Sequence, residues 1–140
     1  MKKAWHNTLS LDFDGCLYDY AQSFEAGIDK YDVPPVYRAL KGILRLVAGG
    51  WYIEIFSGRS ATLEGRQWME SWLRDKARRT GKLDIVEAIR AGKITFASDK
   101  PVAKVYLDDR GMRFDGDWEK ITPEALDSYR AWWQAPGSVQ

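Results

Sequence analysis

At 140 residues the chain is long enough for one domain with a single hydrophobic core. Its formal net charge of +1 gives no bulk electrostatic reason to expect binding to nucleic acid or to a membrane surface. The single cysteine, Cys16, excludes an intrachain disulfide and favours a reducing, cytoplasmic compartment. No apolar run reaches membrane-spanning length, and no secretory leader is recognisable, so we expect no membrane association.

The first predicted element is a short buried strand, Thr8 to Leu11, which is followed by two carboxylates, Asp12 and Asp14. In an extended chain these two positions point to the same side, and two like charges so placed repel unless a cation or a proton lies between them. Gly15 then permits a sharp turn close to a ligand. The pattern suits a magnesium-assisted reaction, although a strand followed by an ordinary acidic turn explains it as well.

Further along the chain, residues 18–33 are polar and aromatic without a clean period, which indicates a loop or flap near the mouth of a site. A helix is predicted to start at Pro34-Pro35 and to end at Gly49-Gly50, because apolar residues recur at helical spacing between them. A second strand, 51–56, leads into the small polar loop Ser57 to Ser60.

The second half of the chain continues this alternation of helices and strands. We predict helices over 61–79 and 83–91, strands over 94–97 and 105–107, a short extended piece over 112–114, and a last helix from Thr122-Pro123 to about Trp133. The tail 135–140 is expected to fray. The second helix carries a basic cluster that is more typical of a solvated face than of a polyanion site: Arg66, Arg74, Lys76, Arg78 and Arg79.

Strands that alternate with helices predict an α/β fold, a three-layer Rossmann-like arrangement with a mostly parallel sheet and helices on both faces. In such sheets ligands bind outside the carboxyl ends of the strands. A polar cluster follows each of the four predicted strands, so we expect the clusters to meet at one end of the sheet. They are Asp12 and Asp14, Ser57 and Arg59, Lys100, and Asp108 with Asp109.

These clusters, in this order, resemble the motifs of the haloacid dehalogenase (HAD) superfamily of phosphotransferases. Asp12-Phe13-Asp14-Gly15 is similar to its first motif, Ser57 to the hydroxyl residue of the second, Lys100 to the lysine of the third, and Asp108-Asp109 to the closing acidic pair. The resemblance spans about residues 8 to 115. Cys16 departs from the pattern, since the family usually has Thr or Val there.

The resemblance implies a magnesium-dependent phosphomonoester hydrolase that forms an aspartyl-phosphate on Asp12, with Asp14 as general acid and base. Mg²⁺ would be held by Asp12, Asp108 and the backbone carbonyl of Asp14, with Asp109 acting just behind them. Phosphate binding would fall to Ser57 and Lys100, joined by the neighbouring Gly58 and Arg59. Lys104 is the alternative to Lys100 as the phosphate-binding lysine, and the sequence leaves both assignments open.

The intervals between the motifs are filled by core elements, so we predict a single HAD-like catalytic domain over 1–134, without a large cap, in which 18–33 forms the flap. The expected partner is a phosphorylated substrate, either a small molecule, a nucleotide or a polynucleotide end, and no stable protein partner is inferred. Two alternatives stay open. One is a phosphatase specific for nucleotides or polynucleotide ends, and the other is a non-catalytic HAD-like module that binds phosphate.

Overall fold

The computed structural model describes residues 2–21 and 31–134, and their strands form one parallel sheet of order β3-β2-β1-β4. The strands are β1 (Thr8–Leu11), β2 (Tyr52–Ile55), β3 (Ile94–Phe96) and β4 (Val105–Leu107). Leu9 of β1 lies opposite Ile53 of β2 on one side and Val105 of β4 on the other. The α/β class and the parallel sheet are therefore as predicted, because β-branched and apolar runs separated by helices form such a sheet.

Four α-helices lie entirely within the described residues: α1 (Ala39–Ala48), α2 (Leu63–Arg79), α3 (Leu83–Arg90) and α4 (Pro123–Ser128). Threonine caps begin two of them: the hydroxyl of Thr62 accepts from the backbone N–H of Gly65, and that of Thr122 accepts from Ala125. None of the described helices is long and apolar enough to cross a membrane.

Helices α1, α2 and α3 pack on the strands and on one another. The right-handed crossover rule places all three on one face of the sheet, because β1, β2 and β3 follow one another in a single direction. The segment that connects β3 to β4 runs from one edge of the sheet to the opposite edge and contains no helix. The described structure thus has the predicted parallel sheet with helices packed on it, and helices on the second face stay a prediction.

The core lies between this helical layer and the sheet. Ile53 and Ile55 of β2 are fully buried, and they alternate with the half-buried Tyr52 and Glu54 on the other face. Phe13, directly after β1, is also fully buried and meets the rings of three residues at centroid distances of 5.2 to 6.0 Å. They are Tyr18, Trp68 and Trp72. The strand that carries the acidic motif is thus anchored in the aromatic part of the core.

Two predicted helix boundaries were wrong. The first helix begins at Ala39 and not at Pro34-Pro35, because Pro35 pairs with Tyr18 and the backbone N–H of Val36 donates to the Leu17 carbonyl. The last helix ends at Ser128 and not near Trp133, because Tyr129 takes an extended conformation. In both places tertiary hydrogen bonds override a local helical pattern.

The structure describes only part of the predicted flap. Residues 22–30 of the flap lie outside the described residues, and so does the predicted tail 135–140. Its two ends are attached to the body of the domain. Tyr18 is fully buried in the core, and the Tyr31 hydroxyl donates a hydrogen bond to the Asp75 carboxylate on α2. The indole N–H of Trp72 donates to the Val33 carbonyl at 3.1 Å.

Candidate functional site

The polar residues that follow β1, β2 and β4 meet in a cavity of about 210 Å³ at the carboxyl end of the sheet, which we call the small cavity. It is lined by Asp12, Asp14, Tyr20, Ser57, Gly58, Asp109 and Arg110. Parallel strands bring these loops together because their carboxyl ends lie at one edge of the sheet. Five of the predicted site residues thus share one cavity.

Asp12 is the half-buried carboxyl group at the centre of this arrangement, and its Oδ1 accepts a hydrogen bond from the backbone N–H of Phe13 at 2.8 Å. Burial, a hydrogen bond with Asp109 and the nearby charges of Asp108 and Asp109 raise the pKa of Asp12 to about 8. Two carboxylates this close retain a proton between them unless a cation replaces it. The charge distribution therefore favours a bound cation at Asp12.

Asp109 is the acidic residue that faces Asp12, and only 7% of it is exposed. Its Oδ2 accepts a hydrogen bond from the indole N–H of Trp133 at 2.7 Å. The approach of Asp109 depends on Gly15, whose φ of +87° is in the left-handed region. A Cβ atom on Gly15 would lie 2.1 Å from Oδ2 of Asp109, so a side chain there would displace the carboxylate.

Asp108 lies differently from Asp109, although the two are adjacent in sequence. It is exposed, its Oδ1 accepts from the backbone N–H of Arg110 at 2.7 Å, and it lines a second cavity. Single oxygen or sulfur atoms of Asp12, Cys16 and Asp109 lie within 4.8 Å of one another, and Asp108 is not part of that group. The geometry thus brings Asp109, expected just behind the metal, nearer to Asp12 than the predicted ligand Asp108.

Cys16 contributes little to this group as a ligand. Burial and the charges of Asp12, Asp109 and Asp108 raise the pKa of its thiol to about 12. The thiol therefore stays protonated at neutral pH, and its Sγ lies 3.8 Å from the Leu107 carbonyl oxygen. The remaining donors are carboxylate oxygens, which are the ligands that Mg²⁺ prefers. The residues present fit a magnesium ion better than a soft metal.

Asp14, the predicted general acid and base, is held by Arg59. Nη2 of Arg59 lies 2.9 Å from Oδ1 of Asp14, and Nε lies 3.0 Å from Oδ2. The two side chains are 18% and 25% exposed, so the pair is partly screened from water. A two-point contact of this kind fixes the plane of the carboxylate at the wall of the small cavity.

Arg59 is not placed as predicted for a phosphate-binding residue. Its side chain lines neither cavity at Asp12, and its Cζ lies 4.6 Å from the centre of the Trp68 ring and 5.2 Å from that of Tyr18. These aromatic faces and the Asp14 carboxylate both attract the guanidinium. The structure therefore gives Arg59 the role of a support for Asp14.

Ser57 and Gly58 follow β2 and line the small cavity, as the strand-end rule predicts. The Ser57 hydroxyl caps the short 3₁₀ helix Gly58–Ala61 and accepts from the backbone N–H of Arg59 at 3.1 Å. The same hydroxyl lies 3.5 Å from Sδ of Met69 on α2, toward which it donates. These contacts orient Ser57 at the cavity wall.

Lys100 lines the second cavity, which we call the large cavity and which has a volume of about 650 Å³. Its wall is formed by Ser10, Asp12, Phe56, Lys100, Tyr106, Leu107, Asp108, Gly111, Met112 and Arg113. Nζ of Lys100 lies 4.8 Å from the centre of the Tyr106 ring. Asp12 lines both cavities. Its carboxyl group therefore faces Lys100 on one side and the residues of the small cavity on the other.

Lys104, the rival of Lys100, lies at the other end of the sheet. Its backbone N–H donates to the carbonyl of Thr8, the first residue of β1, whereas Asp12 follows the last residue of that strand. Lys104 lines neither of the two cavities at Asp12. The geometry therefore favours Lys100.

Two members of the basic cluster of α2 form ion pairs within the helix, and a third donates to a backbone carbonyl. Arg74 pairs with Glu70 at 2.9 Å, and Arg78 pairs with Asp75 at 3.7 Å. The guanidinium of Arg66 donates to the backbone carbonyl of Ser60. This arrangement is typical of a helix whose charged residues are paired along its surface, and it does not favour a polyanion site.

Three residues of this site were not identified from the sequence, namely Arg110, Trp132 and Trp133. The indole N–H of Trp132 donates to the Gly15 carbonyl at 2.7 Å, and that of Trp133 donates to Asp109. Both contacts join residues that are far apart in the chain, so no local sequence pattern indicated them.

Comparisons of this chain with protein-family models, with curated proteins and with solved structures found no match.

Proposed function

We propose that this protein is a magnesium-dependent phosphomonoester hydrolase in which Asp12 is the nucleophile. The observation that carries the proposal is the placement of Asp12 at the end of β1, paired with Asp109 and shared by two cavities that also hold Asp14, Ser57 and Lys100. A nucleophilic carboxylate, a second carboxyl group, a hydroxyl and a cation are what phosphoryl transfer through a covalent intermediate requires. The four motifs that resemble the HAD superfamily support the same reaction class.

Asp12 and Asp109 would hold the magnesium ion, with Asp108 at the edge of the site. When bound, the ion would neutralise negative charge near the reacting phosphoryl group. A cation between the two carboxylates would oppose the rise in the pKa of Asp12 that burial and the neighbouring carboxylates cause, because it favours the ionised form. Asp12 would then be available as a carboxylate, the form that attacks phosphorus.

In the first step a carboxylate oxygen of Asp12 attacks phosphorus while the bond to the ester oxygen breaks. Asp14 enters this step protonated and gives that proton to the leaving alcohol, and the product on the protein is an aspartyl-phosphate. In the second step Asp14 takes a proton from water, which attacks the same phosphorus and releases inorganic phosphate and Asp12. Arg59 keeps Asp14 oriented for both transfers through its two hydrogen bonds. Lys100 donates a hydrogen bond to the phosphoryl oxygens, and Ser57 does so when its hydroxyl proton turns from Met69 into the small cavity.

The experiment is a phosphatase screen over sugar phosphates, nucleotides and 5′- or 3′-phosphorylated oligonucleotides, with and without Mg²⁺. We expect magnesium-dependent release of phosphate from at least one class, and a loss of about a thousandfold in kcat for Asp12→Asn. Asp84→Asn, which changes an exposed carboxylate in the first turn of α3, is the matched control and should keep full activity.

Two outcomes would count against this function. An Asp12→Asn variant that folds normally and retains near wild-type activity would remove Asp12 as the nucleophile. A wild-type protein that binds phosphorylated compounds but releases no phosphate from any of them would support the non-catalytic binding module instead.

A further inference from the structure

Arg110 is a cationic residue at the mouth of the small cavity. It is exposed, whereas Asp109 at the same cavity is 7% exposed and Asp12 is half-buried. Among the described residues that line this cavity, Arg110 is the one with a positive charge. Arg110 therefore lies nearer to solvent than the reacting carboxylates. A group bound to Arg110 would lie closer to the opening of the cavity than a phosphoryl group on Asp12.

The position of Arg110 is fixed by its neighbours. Its Cζ lies 5.2 Å from the centre of the Trp133 ring, and its backbone N–H donates to Oδ1 of Asp108. Trp133 is itself held by its hydrogen bond to Asp109 and packs edge-on against Tyr20 at a centroid distance of 5.4 Å. Stacking on a tryptophan restrains the guanidinium and leaves its N–H groups free to bind an anion.

The charge of Arg110 has no carboxylate partner among the residues that the structure describes, in contrast to that of Arg59. A guanidinium presents its donors in a planar fork that matches a carboxylate or a phosphate at two points. Asp14, the proposed proton donor to the leaving group, lines the same cavity. The leaving group of a substrate attacked by Asp12 would therefore pass Asp14 and reach Arg110.

We propose that Arg110 is a specificity-determining residue that binds a second anionic group, a phosphate or a carboxylate, on the leaving group of the phosphomonoester. The proposal rests on the proposed function, because it assigns the reacting phosphoryl group to Asp12. The preferred substrates are then small phosphomonoesters that carry a second anionic group a few bonds from the reacting phosphate.

The test compares three substrates that differ at one position: phenyl phosphate, 4-carboxyphenyl phosphate and 1,4-phenylene bisphosphate, each with Mg²⁺. We expect Arg110→Gln to lower kcat/KM by about tenfold for the two substrates that carry a second anionic group, mainly through KM, and to leave phenyl phosphate nearly unchanged. A comparison of 4-carboxyphenyl phosphate with 1,4-phenylene bisphosphate shows whether Arg110 prefers a carboxylate or a phosphate. Arg110→Lys should restore part of the loss, because it keeps the charge without the planar fork. Arg45→Gln, an exposed position in the last turn of α1 that lines neither cavity, is the matched control.

A binding measurement separates this inference from the proposed function. Calorimetry with benzylphosphonate and 4-carboxybenzylphosphonate reports recognition without turnover. If the wild type prefers the carboxylated compound and Arg110→Gln abolishes the preference, Arg110 is established as the binding site of the second anion, and a failure of the proposed hydrolysis is a separate result. An equal loss for all three substrates, no loss for any, or a wild type without the binding preference would overturn it.

Discussion

A Cβ atom on Gly15 would lie 2.1 Å from Oδ2 of Asp109, although 94 positions of the sequence separate Gly15 from Asp109. The turn after the acidic motif and the loop after β4 are therefore in direct contact. Gly15 is needed there for its positive φ and for the space that Asp109 occupies.

Gly15→Ala should destabilise the fold and displace Asp109. The left-handed backbone alone costs a non-glycine residue about 1–2 kcal/mol, and the clash with Asp109 adds to that cost. Gly116→Ala is the matched control, because Gly116 also has a positive φ, of +95°, but open space around it. Denaturant unfolding of both variants should show a larger loss for Gly15→Ala, and equal losses would refute the predicted clash.

Removing the carboxylate charge of Asp109 should weaken magnesium binding more than removing that of Asp108. Asp109 shares the ligand group with Asp12, whereas Asp108 is exposed at the edge of the large cavity. We expect Asp109→Asn to lower the affinity for Mg²⁺ by about tenfold and Asp108→Asn to have a smaller effect. Calorimetric titration with MgCl₂ measures both, and circular dichroism checks that the variants fold. A greater loss for Asp108→Asn would restore Asp108 as the ligand.

Arg59→Ala should lower kcat more than it changes KM, because Arg59 contacts Asp14 and aromatic rings but lines neither cavity. It should also destabilise the fold by about 2 kcal/mol, since Asp14 is left without this partner and the cation–π contacts are lost. Arg74→Ala removes a surface ion pair with Glu70 and should cost about 0.5 kcal/mol. A rise in KM with kcat unchanged would instead indicate that Arg59 binds substrate.

Substitutions of the two candidate lysines should have clearly different effects on activity. Lys100→Ala should reduce kcat/KM by about a hundredfold, because Lys100 shares the large cavity with Asp12 and would stabilise charge on the phosphoryl oxygens. Lys104→Ala should leave activity unchanged, since its backbone pairs with Thr8 at the opposite end of β1. Steady-state kinetics on the best substrate of the screen provides the comparison. Loss of activity in the Lys104 variant alone would reverse the assignment.

Tyr31 should stabilise the fold in a pH-dependent way. Partial burial and the hydrogen bond to Asp75 raise the pKa of Tyr31 from 10.0 to about 12. Because the folded protein binds the phenol proton more tightly than the unfolded chain, this stabilisation is complete below pH 10 and is lost as the pH rises toward 12. Tyr31→Phe should therefore cost about 1 kcal/mol below pH 10, with a difference from the wild type that shrinks above it. A difference that is constant with pH would contradict the assignment.

The order of strands and helices and the position of the acidic motif were predictable from the sequence, because they depend on local patterns. The apolar run before Asp12 and the alternation of strands with helices already indicate a parallel sheet, and the strand-end rule then places Asp12, Ser57 and Asp109 at one edge. The capping threonines Thr62 and Thr122 likewise act within a few residues of themselves.

Which partner each site residue takes was decided only by the tertiary structure. Arg59 pairs with Asp14 across 45 residues, and Trp133 reaches Asp109 across 24, so neither contact leaves a trace in local periodicity. The two adjacent aspartates, equivalent in the sequence, differ because one is turned into the small cavity beside Gly15 and the other toward solvent. Chain composition specifies the chemical groups of the site, whereas packing between distant segments selects which of them face one another.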